Sequence, residues 1–247
     1  AMINRLYKSK NLKIAALLVI IFITAIYSSL TISQNRYWQK PLRFYERTLK
    51  YAPLSARLYN NIGFLYINSG KVNESVAFLR KAVSIDPSYA TGYYNLGNAY
   101  YALGRRRDAR ISYEKAIENN PVYGDAYNNL GNVYFDEGQT EKAIAAYSRA
   151  LEFIPGNAVT YYNLANVYLK QNKYENAIEL YKKAIRLRPE YADAYNNLGN
   201  AYSRSNQPAK AIESYKKAIN IKPDLETARK NMELTYNSFN MIKEAEE

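Results

Sequence analysis

Residues 90–123 read ATGYYNLGNAYYALGRRRDARISYEKAIENNPVY, and residues 124–157 read GDAYNNLGNVYFDEGQTEKAIAAYSRALEFIPGN. The two stretches agree in most of their tyrosines, asparagines and small residues, and in the position of a late proline. The same 34-residue spacing separates the members of a series of prolines: Pro53, Pro87, Pro121, Pro155, Pro189 and Pro223. An internal period of this length indicates an array of small structural units stacked side by side.

Each unit contains two apolar patterns with the spacing of an α-helix. Counting Ala90 as position 1, tyrosine or a large apolar residue recurs at positions 4, 7, 11 and 24, and small residues recur at 8, 20 and 27. Positions 4, 7, 8 and 11 lie on one face of a helix, and positions 20, 24 and 27 lie on one face of the next helix. Glycine or asparagine at position 15 suits the left-handed turn that ends the first helix, and proline at position 32 ends the second. The pattern predicts an all-α chain of antiparallel helix pairs without strands.

In its period and in these positions the chain resembles the tetratricopeptide-repeat (TPR) family. The resemblance implies a superhelical solenoid whose first helices line a concave groove. It also implies that the protein binds other proteins rather than catalysing a reaction.

The sequence predicts five consecutive segments. These are a basic flank at 1–13, a single transmembrane helix at 14–35, a half repeat or junction at 36–54, five full repeats at 55–223, and a capping helix with a tail at 224–247. A capping helix is expected because Arg229 and Glu233 replace packing residues there and give the helix a polar outer face.

The prediction of a transmembrane helix rests on the absence of charge from residues 14–35, which would span about 33 Å as a helix. A cleaved signal peptide is the alternative, with Ser28 and Ser29 as the small residues near its end. The uncharged run continues past Ser29, which favours a retained helix. The basic residues that precede it predict a cytoplasmic N-terminus and repeats on the outer or periplasmic side.

The composition excludes several classes of function. The chain has no cysteine and no histidine, so it lacks thiolate nucleophiles, imidazole bases and the usual zinc ligands. It also lacks a glycine-rich phosphate loop, and we expect no enzyme activity and no cofactor. The net charge is +12, but residues 1–50 hold nine basic residues and one acidic residue. This position beside the apolar segment favours a membrane rather than nucleic acid as the partner of the excess charge.

Asparagine is the candidate binding residue. It occupies position 6 in every repeat and position 9 in all but the first, although it is a poor helix former. The residues are Asn61, Asn95, Asn129, Asn163 and Asn197 at position 6, and Asn98, Asn132, Asn166 and Asn200 at position 9. Their amides can donate and accept hydrogen bonds, so a ladder of them can hold the backbone of an extended peptide. This resembles the asparagine ladder of O-GlcNAc transferase. Hydrogen bonds between repeats, or a family consensus, are the alternatives.

We therefore predict a membrane-anchored TPR scaffold that binds a protein or an extended peptide in its concave groove. The junction at 34–38, QNRYW, suggests an alternative because it resembles the C-terminal part of large membrane glycosyltransferases of the transmembrane-and-TPR class. That resemblance implies an array that recognises the acceptor protein, with the catalytic part upstream. A carboxylate clamp of the chaperone-binding type is not expected, because basic residues are missing beside the asparagines.

Overall fold

The computed structural model describes residues 41–246, together with Phe22, Thr24 and Tyr27, and beyond residue 240 it describes the backbone alone. This part of the chain forms twelve complete α-helices and no strand. The helices are α1 (Pro41–Leu49), α2 (Ala56–Asn68), α3 (Val72–Ile85), α4 (Ala90–Ala102), α5 (Arg106–Asn119), α6 (Gly124–Asp136), α7 (Thr140–Phe153), α8 (Ala158–Lys170), α9 (Tyr174–Leu187), α10 (Ala192–Arg204), α11 (Pro208–Ile221) and α12 (Glu226–Glu246).

Helices α2 to α11 form five helix pairs, each made of a first helix and a second helix. Every first helix begins at position 1 of its repeat. Helix α1 packs against α2, and α12 packs against α11 and α10. The prediction of an all-α repeat array is confirmed for the residues that the structure describes.

The predicted transmembrane helix at 14–35 lies outside the described residues, except for Phe22, Thr24 and Tyr27, which are helical. Among the helices that the structure does describe, none combines the length and the apolar character that crossing a membrane requires. The membrane helix and the basic flank before it stay predictions.

The turn between the two helices of each repeat has the conformation that position 15 predicts. Gly70, Gly104 and Gly138 have φ angles between 72° and 76°, and Asn172 and Asn206 have 58° and 57°. This left-handed backbone carries little strain for glycine and is tolerated by asparagine. The first helix therefore ends at the same point in all five repeats.

Tyrosine fills the space between the two helices. Position 24 is tyrosine in repeats two to five, and at most 1% of each of these side chains is exposed. We call them the core tyrosines: Tyr113, Tyr147, Tyr181 and Tyr215. The glycine at position 8 lets the ring approach closely, since a Cβ at Gly131 would lie 2.6 Å from Tyr147 Cε1. In the fourth repeat Ala165 occupies this position and is itself fully buried.

The contacts between helices show which side of the array is the inner side of its curve. Along the described part of the chain, first helices of successive repeats contact each other, as α4 contacts α6, whereas second helices of successive repeats do not. First helices are therefore closer together than second helices, and they line the inner side of the curve. The structure thus has a groove whose floor is built from first helices.

Candidate partner-binding groove

Asparagine side chains join each repeat to the next along the floor of the groove. The amide Nδ2 of position 6 donates a hydrogen bond to Oδ1 of the position-9 asparagine in the preceding repeat. The pairs are Asn129 to Asn98 at 2.9 Å, Asn163 to Asn132 at 3.0 Å, Asn197 to Asn166 at 2.9 Å, and Asn231 to Asn200 at 3.0 Å. The last donor lies in α12 and was not among the predicted residues, although it follows Asn197 by one 34-residue period.

The same Oδ1 atoms also accept a hydrogen bond from the core tyrosines. The hydroxyl–Oδ1 distances are 2.8 Å for Tyr113 to Asn98, 2.7 Å for Tyr147 to Asn132, 2.6 Å for Tyr181 to Asn166, and 2.9 Å for Tyr215 to Asn200. Each of these oxygens therefore accepts from its own repeat and from the next one. We call these four residues, Asn98, Asn132, Asn166 and Asn200, the asparagine hubs.

The first repeat differs because Phe64 stands at position 9 and is 47% exposed. Asn95, which is buried, donates instead to Oδ1 of Asn60 at 2.8 Å. Asn61 accepts a long hydrogen bond of 3.5 Å from its neighbour Asn60. The joint between the first two repeats thus lacks an asparagine hub.

The position-6 amides have a second acceptor at position 5 of the preceding repeat, and this acceptor alternates. It is the Tyr94 hydroxyl for Asn129 at 3.4 Å and the Tyr162 hydroxyl for Asn197 at 3.0 Å. For Asn163 it is the Asn128 amide oxygen at 3.3 Å. The N–H groups of position 6 are thus used between repeats, as the inter-repeat alternative describes. Binding of a partner by these residues stays a prediction.

The asparagine hubs keep one group that no bond between repeats uses, the amide Nδ2. Nδ2 of Asn98 and Asn166 lies beside the hydroxyls of Tyr94 and Tyr162 in the same helices, and Nδ2 of Asn200 donates to Asn197 Oδ1 at 3.2 Å. Nδ2 of Asn132 donates no hydrogen bond to any described residue and is not among the buried atoms that lack a partner, so water reaches it. Three amide groups, one repeat apart, therefore stay outside the bonds that join the repeats.

Pairs of tyrosine rings recur at every second joint. Tyr94 and Tyr123 have ring centroids 5.0 Å apart, and Tyr162 and Tyr191 have the same separation. Burial raises the pKa of Tyr94 and Tyr162 above the usual range, and the carboxylates of Asp125 and Asp193 raise them further. The signal in the sequence was a period of two repeats, since DAYNNLGN occurs at 125–132 and again at 193–200. Aligning single repeats hides it.

Two ion pairs connect the second repeat to the third. Arg106 Nε lies 3.1 Å from Asp136 Oδ2, and Arg110 Nε lies 3.8 Å from Glu137 Oε2. The acids belong to the turn of the third repeat and the arginines to α5 of the second. Within the described residues no cluster of acidic, cysteine or histidine side chains could hold a metal ion.

Comparison with known proteins identifies the repeats and their structural neighbours. Family models described as tetratricopeptide repeat match residues 122–190, 158–224 and 90–121, and one described as TPR repeat matches 65–104. No curated protein matches the chain.

Solved structures show the same fold. YrrB, described as a TPR protein with an unusual peptide-binding site, is 27% identical with a TM-score of 0.62, covering 74% of this chain and 95% of its own. MamA is 28% identical with a TM-score of 0.61, covering 68% and 92%. MamA from Desulfovibrio magneticus RS-1 is 24% identical with a TM-score of 0.63, covering 69% and 96%.

Proposed function

Because this chain belongs to the tetratricopeptide-repeat family, we propose that it is a protein-interaction scaffold that binds an extended segment of a partner protein in the groove of its first helices. One observation carries the proposal. Asn98, Asn132 and Asn166 stand at the same position of successive repeats, and none of the bonds between repeats uses their Nδ2 donors. Amide donors repeated along a groove match the carbonyl oxygens that recur along an extended backbone.

The hydrogen bonds inside the array favour this use of the donors. The hub oxygens are held by a core tyrosine and by the next repeat, so the direction of each unused N–H₂ group is set before a partner arrives. A preorganised side chain loses less conformational freedom on binding than a mobile one. The bonds that join the repeats therefore also prepare the donors for a ligand.

The comparison with YrrB supports a peptide as the ligand, since that protein is described as having a peptide-binding site. Main-chain recognition depends little on the side chains of the ligand, so the groove would accept related segments from more than one protein.

The experiment separates the two functions of a hub. Asn→Asp keeps an oxygen for the core tyrosine and for the next repeat but removes the N–H₂ donor. We expect Asn98→Asp with Asn132→Asp to stay folded and to bind less tightly the peptides that the full chain selects from a random linear library. Two backbone hydrogen bonds at about 0.5–1.5 kcal/mol each predict a loss of roughly 5- to 150-fold.

The control for the two added negative charges is Asn73→Asp with Asn237→Asp, at exposed positions of α3 and α12. It should leave both folding and affinity unchanged. Selected peptides that bind the hub variant as tightly as the wild-type chain would refute the proposal, as would a library that yields no binder.

We also propose that residues 14–35 hold the array at a membrane, with the repeats on the outer or periplasmic side. The support is the uncharged length of this segment and the basic residues before it. Membranes carrying the full chain would be washed with alkaline carbonate, and recovery of the chain in the soluble fraction would contradict attachment. Several membrane spans upstream in the gene would favour the glycosyltransferase alternative.

A further inference from the structure

We infer that the groove contains two subsites built from the same residue types, two repeats apart, that receive lysine or arginine side chains of the bound segment. Each subsite combines a packed tyrosine pair with an unpaired carboxylate. The N-subsite consists of Tyr94, Tyr123 and Asp125, and the C-subsite consists of Tyr162, Tyr191 and Asp193. The inference rests on the proposed function, because it assigns a chemical class to the segment that the groove binds.

The aromatic part of each subsite lies at a joint between repeats. Tyr94 and Tyr162 stand at position 5 of a first helix, and their rings pack against the tyrosine that precedes the next first helix, at interplanar angles of 33° and 37°. The hydroxyl of Tyr162 accepts from Asn197, which ties the pair to the row of asparagines. The faces of tyrosine rings attract cations through their quadrupole.

The acidic part occurs only where the tyrosine pair occurs. Position 2 is aspartate, at Asp125 and Asp193, where position 5 of the preceding repeat is tyrosine. Where position 5 of the preceding repeat is asparagine, position 2 is not acidic: it is Thr91, Val159 and Thr227. An acid in the first turn stabilises a helix N-terminus, but that effect alone would favour it in every repeat. The alternation therefore points to a role shared with the tyrosines.

The two carboxylates are available to a ligand. Asp125 and Asp193 are exposed, and neither takes part in an ion pair within the described residues. Asp136 shows the contrast, because it is paired with Arg106. The position-2 carboxylates act on the tyrosine hydroxyls beside them, since they raise the pKa of Tyr94 and Tyr162. A basic side chain in the subsite would compensate this negative charge.

The chain itself shows that one of these rings accepts a guanidinium. Arg188 lies over the ring of Tyr191 with its Cζ 5.0 Å from the ring centroid. One period of two repeats earlier the corresponding residue is Asn120, so the N-subsite has no such internal cation. We therefore expect the N-subsite to contribute more to binding than the C-subsite.

The test uses labelled peptides and the full chain in detergent micelles at low ionic strength. Each arginine probe carries two arginines on a glycine–serine backbone, with a series of spacer lengths between them. The citrulline probes replace each arginine by neutral citrulline, which has nearly the same shape. Fluorescence anisotropy should show tighter binding of arginine probes, by roughly 10-fold or more, with an optimum at one spacer length.

Variants assign the effect to the subsites. Asp125→Asn with Asp193→Asn should weaken the arginine probe by about 10-fold and leave the citrulline probe unchanged. The control, Glu74→Gln with Asp224→Asn, removes the same charge from exposed positions on α3 and before α12, and should change neither affinity. Equal binding of arginine and citrulline probes, or an equal loss in the control, overturns the inference.

The hub variant Asn98→Asp with Asn132→Asp distinguishes this failure from failure of the proposed function. It is measured with the citrulline probe, on which the added charge has little effect. If it weakens that probe while the subsite variant leaves the arginine probe unchanged, the groove binds backbone and the subsites are wrong. If no probe binds the chain, both proposals fail.

Discussion

The asparagine hub at Asn132 offers a direct test of how the repeats are joined. Its Oδ1 accepts from the Tyr147 hydroxyl at 2.7 Å and from Asn163 Nδ2 at 3.0 Å. Only 1% of the Tyr147 side chain is exposed. In Asn132→Ala the tyrosine hydroxyl therefore loses its acceptor where water reaches it poorly, while Asn163 keeps its second acceptor, Asn128.

The expected loss of stability follows from these contacts. A buried donor left without an acceptor costs about 1–3 kcal/mol, and alanine returns up to about 0.7 kcal/mol as the better helix former. Tyr147→Phe removes the donor instead and leaves Asn132 bonded to Asn163, so we expect a smaller loss of about 0.5–1.5 kcal/mol. The double variant removes both partners, so its loss of stability should be about 1 kcal/mol smaller than the sum of the two single losses.

The assay is urea unfolding of the full chain followed by circular dichroism at 222 nm. Asn237→Ala, an exposed position in α12, serves as the control and should leave stability unchanged or slightly raised. The argument fails if Asn132→Ala is as harmless as the control. It also fails if the two losses add fully, because additivity would mean that Asn132 and Tyr147 do not interact.

Three further predictions concern packing, turns and pH. Gly131→Ala should lower the free energy of unfolding by up to about 2 kcal/mol in a urea titration, because the new Cβ would lie 2.6 Å from Tyr147, overpacking that costs about 1–3 kcal/mol, and alanine returns about 1 kcal/mol as the better helix former; a raised midpoint would show that the ring moves freely. Gly138→Ala should cost about 1–2 kcal/mol at its φ of 74°, whereas Asn172→Gly should be neutral or stabilising; equal effects would contradict a left-handed requirement. Burial raises the pKa of the core tyrosines, and it raises that of Tyr191 to about 12. The buried tyrosines therefore contribute fully to stability below about pH 10, and this contribution is lost as the pH rises further. The helical signal should disappear together with the late part of the tyrosinate absorbance at 295 nm. Ionisation of all 27 tyrosines near pH 10 in a folded chain would contradict this.

Local structure was predictable from the sequence because the same residue pattern occurs in every repeat. The turn at Gly104 depends only on backbone conformation, and the burial of Tyr113 depends only on helical spacing and on the small residue opposite. Five copies of the same pattern remove the ambiguity that a single short helix would carry. Helix bounds, turns and core tyrosines all follow from interactions within one repeat.

The use of the asparagines could not be predicted in the same way. Asn129 reaches Asn98 only because consecutive first helices lie at a particular distance and angle, and that geometry results from the packing of whole repeats. Asparagine at position 6 has the same sequence pattern whether its side chain faces a ligand or the previous repeat. The pairing of Tyr94 with Tyr123 was also missed. When every repeat is aligned at a period of 34 residues, the alternation of tyrosine and asparagine at position 5 is not treated as a pattern of its own.

The alternation at position 5 has a consequence for how such a gene can change in length. Every joint beyond the first uses the same pair of asparagines, so recombination between any two of repeats two to five would preserve the joints themselves. Loss or gain of a single repeat would place two successive joints with the same residue at position 5, either tyrosine or asparagine, next to each other. It would also change the distance between the N-subsite and the C-subsite. Duplication of a two-repeat segment, such as 124–191, keeps both features. Lineages that retain the groove should therefore differ in even numbers of repeats.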